Sequence, residues 1–199
     1  MKTNNLISPE LQILECTLRD GSYAVDFRFT DKDTSSLCGV LSGLGFKFIE
    51  IGHGLGINAV NAGKGKMPSS DRNLLESAKS SVKDSKIGMF CIPGIAAPIH
   101  IEEMARCGLD FIRIGNDADN IEKAYPLIKV ARKNNIYTML KFMKSYTISP
   151  QEFAQKAKQA VGEGAEVIYI VDSAGGMLPE EVVHYIEEVK AIVDVKMGI

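Results

Sequence analysis

The sequence contains no apolar run long enough to cross a bilayer. Its longest uncharged central stretch, Ile87 to Ile101, is interrupted by Pro93, Gly94 and Pro98 and falls short of the roughly 20 residues a membrane helix needs. It has no surplus of either charge. With 23 Lys and Arg against 25 Asp and Glu the formal net charge is −2, so no basic patch is implied that would capture nucleic acid. Cysteine is sparse and unpaired. Cys16, Cys38, Cys91 and Cys107 form no CxxC and no histidine stands at zinc-finger spacing, which excludes a redox pair and a structural zinc site and leaves reduced, mostly buried thiols. The segment Met1 to Pro9 lacks the apolar centre of a signal peptide and the Arg and Ser of a transit peptide, so the expected compartment is the cytoplasm.

What is present is ordinary globular composition. The chain has 199 residues, 45% hydrophobic and 24% charged, which rules out disorder, collagen and coiled coil and suits one domain over residues 1–199. Seven runs rich in β-branched and aromatic residues read as strands: Ile13 to Leu18, Phe46 to Ile51, Lys86 to Ile92, Phe111 to Ile114, Tyr137 to Met143, Val167 to Val171 and Val195 to Ile199. Helical stretches lie between them. Ser149-Pro150-Gln151-Glu152 reads as a capping box with Pro in the first turn, and Leu178-Pro179-Glu180-Glu181 opens the last helix similarly. Gly45, Gly108 and Gly164 end helices just before a strand.

Strand starts lie 25 to 40 residues apart, one βα unit per step. Phe48-Ile49-Glu50-Ile51-Gly52 is echoed by Phe111-Ile112-Arg113-Ile114-Gly115. Strands this apolar need cover on both faces, which right-handed crossovers in a parallel sheet supply. A (β/α) barrel and an open doubly wound sheet compete; no Gly-x-Gly-x-x-Gly follows the first strand, which weakens the nucleotide-binding open sheet. A full barrel has eight units in typically ~250 residues. The expectation is therefore an incomplete α/β (β/α)8 barrel of about seven strands and six helices, cut short after its seventh strand.

In such a barrel the chemistry collects at the C-terminal strand ends. There the sequence places Arg19, Asp20 and Tyr23 after strand one, Glu50 and His53 at strand two, Arg113, Asn116 and Asp117 at strand four, Lys141, Lys144 and Ser145 at strand five, and Asp172 and Ser173 after strand six. Alternation puts Thr17 and Arg19 on one face, and a guanidinium inside the mouth needs a carboxylate, for which Glu50 is the natural candidate. Asp20 then stands free at the rim, where a carboxylate before a turn glycine can bind a divalent cation or simply cap a turn. The loop Asn61 to Lys66 has no Walker spacing and reads as a lid or a solvated loop.

Leu14-Glu15-Cys16-Thr17-Leu18-Arg19-Asp20-Gly21 resembles the first-strand signature of the metal-dependent TIM-barrel lyases and aldolases related to 3-hydroxy-3-methylglutaryl-CoA lyase and isopropylmalate synthase. Ile49-Glu50-Ile51-Gly52-His53-Gly54, Met143-Lys144-Ser145-Tyr146 and Tyr169 to Gly176 continue the match in order, with the 4-hydroxy-2-oxovalerate aldolase branch nearest. The resemblance implies cleavage of a 4-hydroxy-2-oxo acid to pyruvate and an aldehyde, with the enolate held on Mn²⁺ or Mg²⁺. It implies Asp20 as metal ligand, Arg19 as enolate stabiliser and substrate contact, Glu50 as the residue orienting Arg19, and His53 and Ser173 as substrate-binding residues, with Asp172 in support. It also implies a 2-oxo acid as small-molecule partner and an aldehyde dehydrogenase partner; the exposed first- and seventh-strand edges of an open barrel separately lead to the expectation of a homo-oligomer.

Two departures stand out. Where the family has a histidine base two residues after Asp-Gly, this chain has Tyr23, catalytic here only if strongly shifted, as an acid or through water. The family's His-x-His metal ligands at the end of strand seven have no counterpart: the histidines are His53, His100 and His184, the last two in helical segments at the surface. Weak Mn²⁺ binding and little turnover are expected of these 199 residues alone. Three other functions compete. One is a Schiff-base aldolase using Lys141, set against the plainer expectation that Lys141 pairs with a carboxylate at the mouth. The others are acyl-CoA Claisen condensation on the same site and a non-catalytic truncated barrel.

Overall fold

A computed structural model describes residues 11–199. Seven strands, β1 (Leu14–Glu15), β2 (Phe48–Ile51), β3 (Lys86–Cys91), β4 (Phe111–Asp117), β5 (Tyr137–Met143), β6 (Val167–Ile170) and β7 (Lys196–Gly198), lie in sequence order in one sheet, every neighbouring pair parallel. Six α-helices alternate with them: α1 (Asp31–Gly43), α2 (Asp71–Ser81), α3 (Pro98–Arg106), α4 (Tyr125–Lys133), α5 (Pro150–Glu163) and α6 (Pro179–Ile192). The sheet curls into an incomplete TIM barrel.

The local signals act as the residues dictate. Thr30 caps α1 in a full capping box with Asp33, and the Ser70 and Ser149 hydroxyls accept the first free amides of α2 and α5. Glu152 does not complete the box expected at Ser149; its own amide donates to that hydroxyl and no return bond forms among the described residues. Gly45, Gly108 and Gly164 follow helix ends at φ +94°, +84° and +122°, a region glycine enters without strain. Strand β5 has the expected bounds, whereas β4 runs on to Asp117 because its whole length pairs with β5, from Phe111 opposite Tyr137 to Asp117 opposite Met143. Strand β1 is far shorter than expected. The amides of Arg19 and Asp20 both turn back to the Cys16 carbonyl, and that turn ends the strand.

Burial divides into two cores. The larger, containing Ile49, Ile51, Ile87, Ile112, Leu140 and Ile168, lies between sheet and helices. The smaller lies inside the curl, where Phe111, Met139 and Val167 pack with Leu14, Phe48, Tyr137 and Tyr169. Strict alternation along each strand feeds both cores, so every second residue points into the curl. Gly88 belongs to this inner set, and the Phe111 ring fills the space its missing side chain leaves. The inner aromatic floor supports the polar residues at the C-terminal mouth.

Candidate active site

The site is built on Glu50, the third residue of β2. It points into the curl with no exposure and is bound from two sides: Arg19 Nε donates to Oε2 at 2.6 Å, while Arg113 Nε and Nη2 donate to Oε1 and Oε2 at 2.7 and 2.6 Å. Arg19 and Arg113 are themselves 5% and 6% exposed. Burial alone would push the Glu50 carboxyl up; the guanidiniums of Arg113 and Arg19 outweigh it and hold the group below its ordinary value. The expected Arg19 to Glu50 pair is present.

Arg113 is the residue that sequence reasoning placed at the mouth without a role. A signal existed. In the repeat Phe48-Ile49-Glu50 and Phe111-Ile112-Arg113, Glu50 and Arg113 occupy the same position, so both point inward with opposite charge. Among the described residues Nη2 of Arg19 and Nη1 of Arg113 donate to nothing, which leaves a donor on each arginine for a bound anion.

The alternation argument for Arg19 fails. Thr17 is exposed and its hydroxyl turns back to Glu15, whereas Arg19 is buried; the turn at Cys16 brings Arg19 inward, not the strand's pleat. Asp20 is not free either. Its side chain is 64% exposed at the rim, and Oδ1 accepts from Arg19 Nη1 at 2.7 Å. A metal would therefore find one carboxylate, already engaged. Among the described residues no group of three His, Cys, Asp or Glu side chains converges, so these residues do not by themselves make a metal site.

Tyr23 sits in a 3-10 turn, Gly21–Val25, with its ring against Gly54 and edge-on to Phe27 at 5.0 Å. Burial pushes its phenol up, away from the range of a base at neutral pH. His53 is fully buried. Its ring stacks on Phe27 at 3.8 Å, Nδ1 accepts from the Leu55 amide at 3.0 Å, and Nε2 faces Gly65 without a hydrogen-bond partner among the described residues. Burial lowers its pKa, opposed in part by the nearby Lys64 backbone, and Gly65 of the Asn61 to Lys66 loop lies against Nε2. Ser173 is exposed, and its hydroxyl accepts the Lys144 amide at 3.1 Å, tying the β6 end to the β5 end. Asp172 accepts from the amides of Gly175 and Met177 and holds the following loop, which lowers its pKa.

Lys141 departs from its expected state. Its Nζ makes no ion pair among the described residues and lies 5.2 Å from the centroid of the Phe90 ring, over which Arg19 Cζ also sits at 5.0 Å. Burial, then the charges of Arg113 and Arg19, lower it to about 8 against the opposing pull of Glu50 and Asp20. Lys144, not Lys141, carries the carboxylate pair, with Asp117 at 2.8 Å.

A mouth with paired arginines on one inward carboxylate, in this strand order, can be compared with known proteins. The sequence model of the HMGL-like family matches residues 10–199. The chain belongs to the HMGL-like family. It is 34% identical over 186 residues to an oxaloacetate decarboxylase of Mycobacterium tuberculosis, covering 94% of this chain and 55% of the relative. It is 30% identical over 188 residues to a 4-hydroxy-2-oxovalerate aldolase of Geobacillus genomosp. 3, covering 94% and 56%. The chain thus spans about half the length of these HMGL-like relatives. The N-terminal domain of a proposed aldolase from Bacteroides vulgatus superimposes with a TM-score of 0.74 at 25% identity, covering 94% of this chain and 63% of that one. The carboxyl transferase domain of Rhizobium etli pyruvate carboxylase shares the fold alone, with a TM-score of 0.75 at 14% identity over 95% of this chain and 35% of that one.

Proposed function

We propose that this chain carries the substrate-binding mouth of a carbon–carbon lyase that cleaves a 2-oxo acid to pyruvate through its enolate. The observation that carries the reading is the buried Arg19, Glu50 and Arg113 cluster at the C-terminal strand ends. Glu50 fixes both guanidiniums before substrate arrives, and the free Nη2 of Arg19 offers positive charge where the enolate oxygen develops. Arg113 Nη1 offers a second donor to the substrate carboxylate, and Ser173 lies at the adjacent rim. Asp20 would be the chain's single carboxylate toward Mn²⁺ or Mg²⁺; further donors would have to come from outside the described residues.

Two substrates lead to the same enolate. Aldol cleavage of a 4-hydroxy-2-oxo acid, as the name of the Geobacillus relative suggests, needs a base for the 4-hydroxyl proton, and Tyr23 is pushed away from that role. Decarboxylation of oxaloacetate, as the name of the Mycobacterium relative suggests, removes CO₂ and no proton, so the Tyr23 observation favours this second reading.

The test is calorimetric titration with oxalate, a planar dianion shaped like pyruvate enolate, beside pyruvate release from 4-hydroxy-2-oxovalerate and from oxaloacetate. Oxalate should bind, and Arg19→Lys should weaken it tenfold or more and slow release by about 100-fold. Faster release from oxaloacetate supports decarboxylation, and faster release from the hydroxy acid supports aldol cleavage. Absence of oxalate binding, or an Arg19→Lys variant that binds normally, overturns the reading.

A further inference from the structure

We propose that the Lys141 side chain is a covalent amine site, forming an iminium with the carbonyl carbon of a 2-oxo acid bound at the barrel mouth. The proposal rests on the lyase reading only in taking a 2-oxo acid as ligand. Lys141 lies on β5 with Gly115 opposite on β4 and Tyr169 opposite on β6, so its stem points into the curl beside a position with no side chain. That gap is not empty: Phe90 takes the space where a Gly115 side chain would stand, and its ring faces the Lys141 Nζ. The ammonium consequently rests against an aromatic face and, among the described residues, has no carboxylate within ion-pair distance.

The other inward cations are fixed differently. Arg19 and Arg113 are both locked onto Glu50, each with one donor left over. A 2-oxo acid held by those donors, its carboxylate on Arg113 and its carbonyl oxygen on Arg19, presents its C2 carbon to the same mouth as Lys141. The groups facing the amine are Arg113 on β4, Glu50 on β2, Arg19 and Asp20 after β1, and Tyr169 on β6; the two guanidiniums and burial outweigh the two carboxylates and bring it to about 8. About a tenth of the amine is then free at neutral pH, against roughly four in ten thousand for an ordinary lysine.

The step balances without redox chemistry. The ammonium first gives one proton to solvent, and the Nζ lone pair forms the bond to C2 as the carbonyl π bond breaks; the oxygen takes one proton from the nitrogen and the shed one back from solvent, and leaves as water as the nitrogen lone pair closes the C=N bond. The ammonium and ketone become a protonated imine and one water, with charge unchanged. A lysine that only binds the substrate carboxylate would make no such bond.

The experiment is incubation of the intact chain with pyruvate and cyanoborohydride, with EDTA, followed by peptide mass analysis. Lactate, which has the carboxylate and no carbonyl, is the control. Expected is one reduced pyruvyl adduct on Lys141, formed faster as pH rises through about 8, unaffected by EDTA, absent with lactate and absent in Lys141→Met. Lys141→Arg keeps the charge and should keep the parent's urea midpoint while losing the adduct, which separates chemistry from folding. Oxalate binding with no adduct overturns the amine proposal and leaves the lyase reading standing. Modification spread equally over surface lysines, or persisting in Lys141→Met, also overturns it. An adduct on Lys141 in a chain that releases no pyruvate supports this site even as the lyase reading fails.

Discussion

Two buried side chains make the sharpest statements. Glu50 is the only anion between two buried guanidiniums among the described residues, so Glu50→Gln leaves both under-compensated and should cost about 3–5 kcal/mol. Urea unfolding checks this. Because the folded carboxyl lies below its ordinary 4.5, its contribution is fully present above that pH and is lost as pH falls below it; the acid limb of the stability curve should flatten in Glu50→Gln. His53 shows the other case, a base whose folded pKa lies below its ordinary 6.5. Its unfolded form takes up a proton first as pH falls, so stability is full above 6.5 and declines below it. Thermal unfolding from about pH 7 to about pH 5.5 should show that decline, and His53→Phe should reduce it. At this scale the pairing of Arg19 with Glu50 was legible, because a buried guanidinium demands a carboxylate. The exemption of Lys141 from the same demand was not legible, since only packing shows that Phe90 rather than a carboxylate faces it.

Among the elements, β3 shows how one residue sets a layer. Gly88 sits opposite both Glu50 on β2 and Phe111 on β4, and a side chain there would collide with the Phe111 ring. Gly88→Ala should push that ring upward toward the Glu50 cluster and destabilise the fold by about 1–3 kcal/mol. The urea midpoint measures the loss, and a drop in oxalate affinity measures the displacement of Arg113. Element type and order followed from periodicity and caps, and β5 kept its expected bounds. The end of β1 did not, because the bend is made by the amides of Arg19 and Asp20 meeting the Cys16 carbonyl, a backbone contact that no side-chain pattern encodes.

At the scale of the molecule, the sheet has two strands with one partner each: β1 pairs only with β2 and β7 only with β6 among the described residues. Apolar side chains stand exposed beside both, with Leu11 and Ile13 near β1 and Ile199 after β7. Unpaired parallel edges flanked by apolar surface favour association. Sedimentation velocity should show concentration-dependent self-association of this chain, and the double variant Ile13→Lys, Ile199→Lys should reduce it; a monomer at all concentrations would remove the homo-oligomer expectation.

The sequence by itself determined the alternation of strands and helices, the parallel sheet and the family, because burial on both faces leaves its mark in composition and strand-end motifs lie along the chain. Only the tertiary structure decided which charges meet. Glu50 and Arg113 are 63 residues apart and become partners when the curl of the sheet brings β2 and β4 around a common interior. Among the described residues the same curl sets Lys141 against Phe90 rather than an anion, and Gly65 against His53, because the partner a buried group finds depends on what the other strands carry to its height.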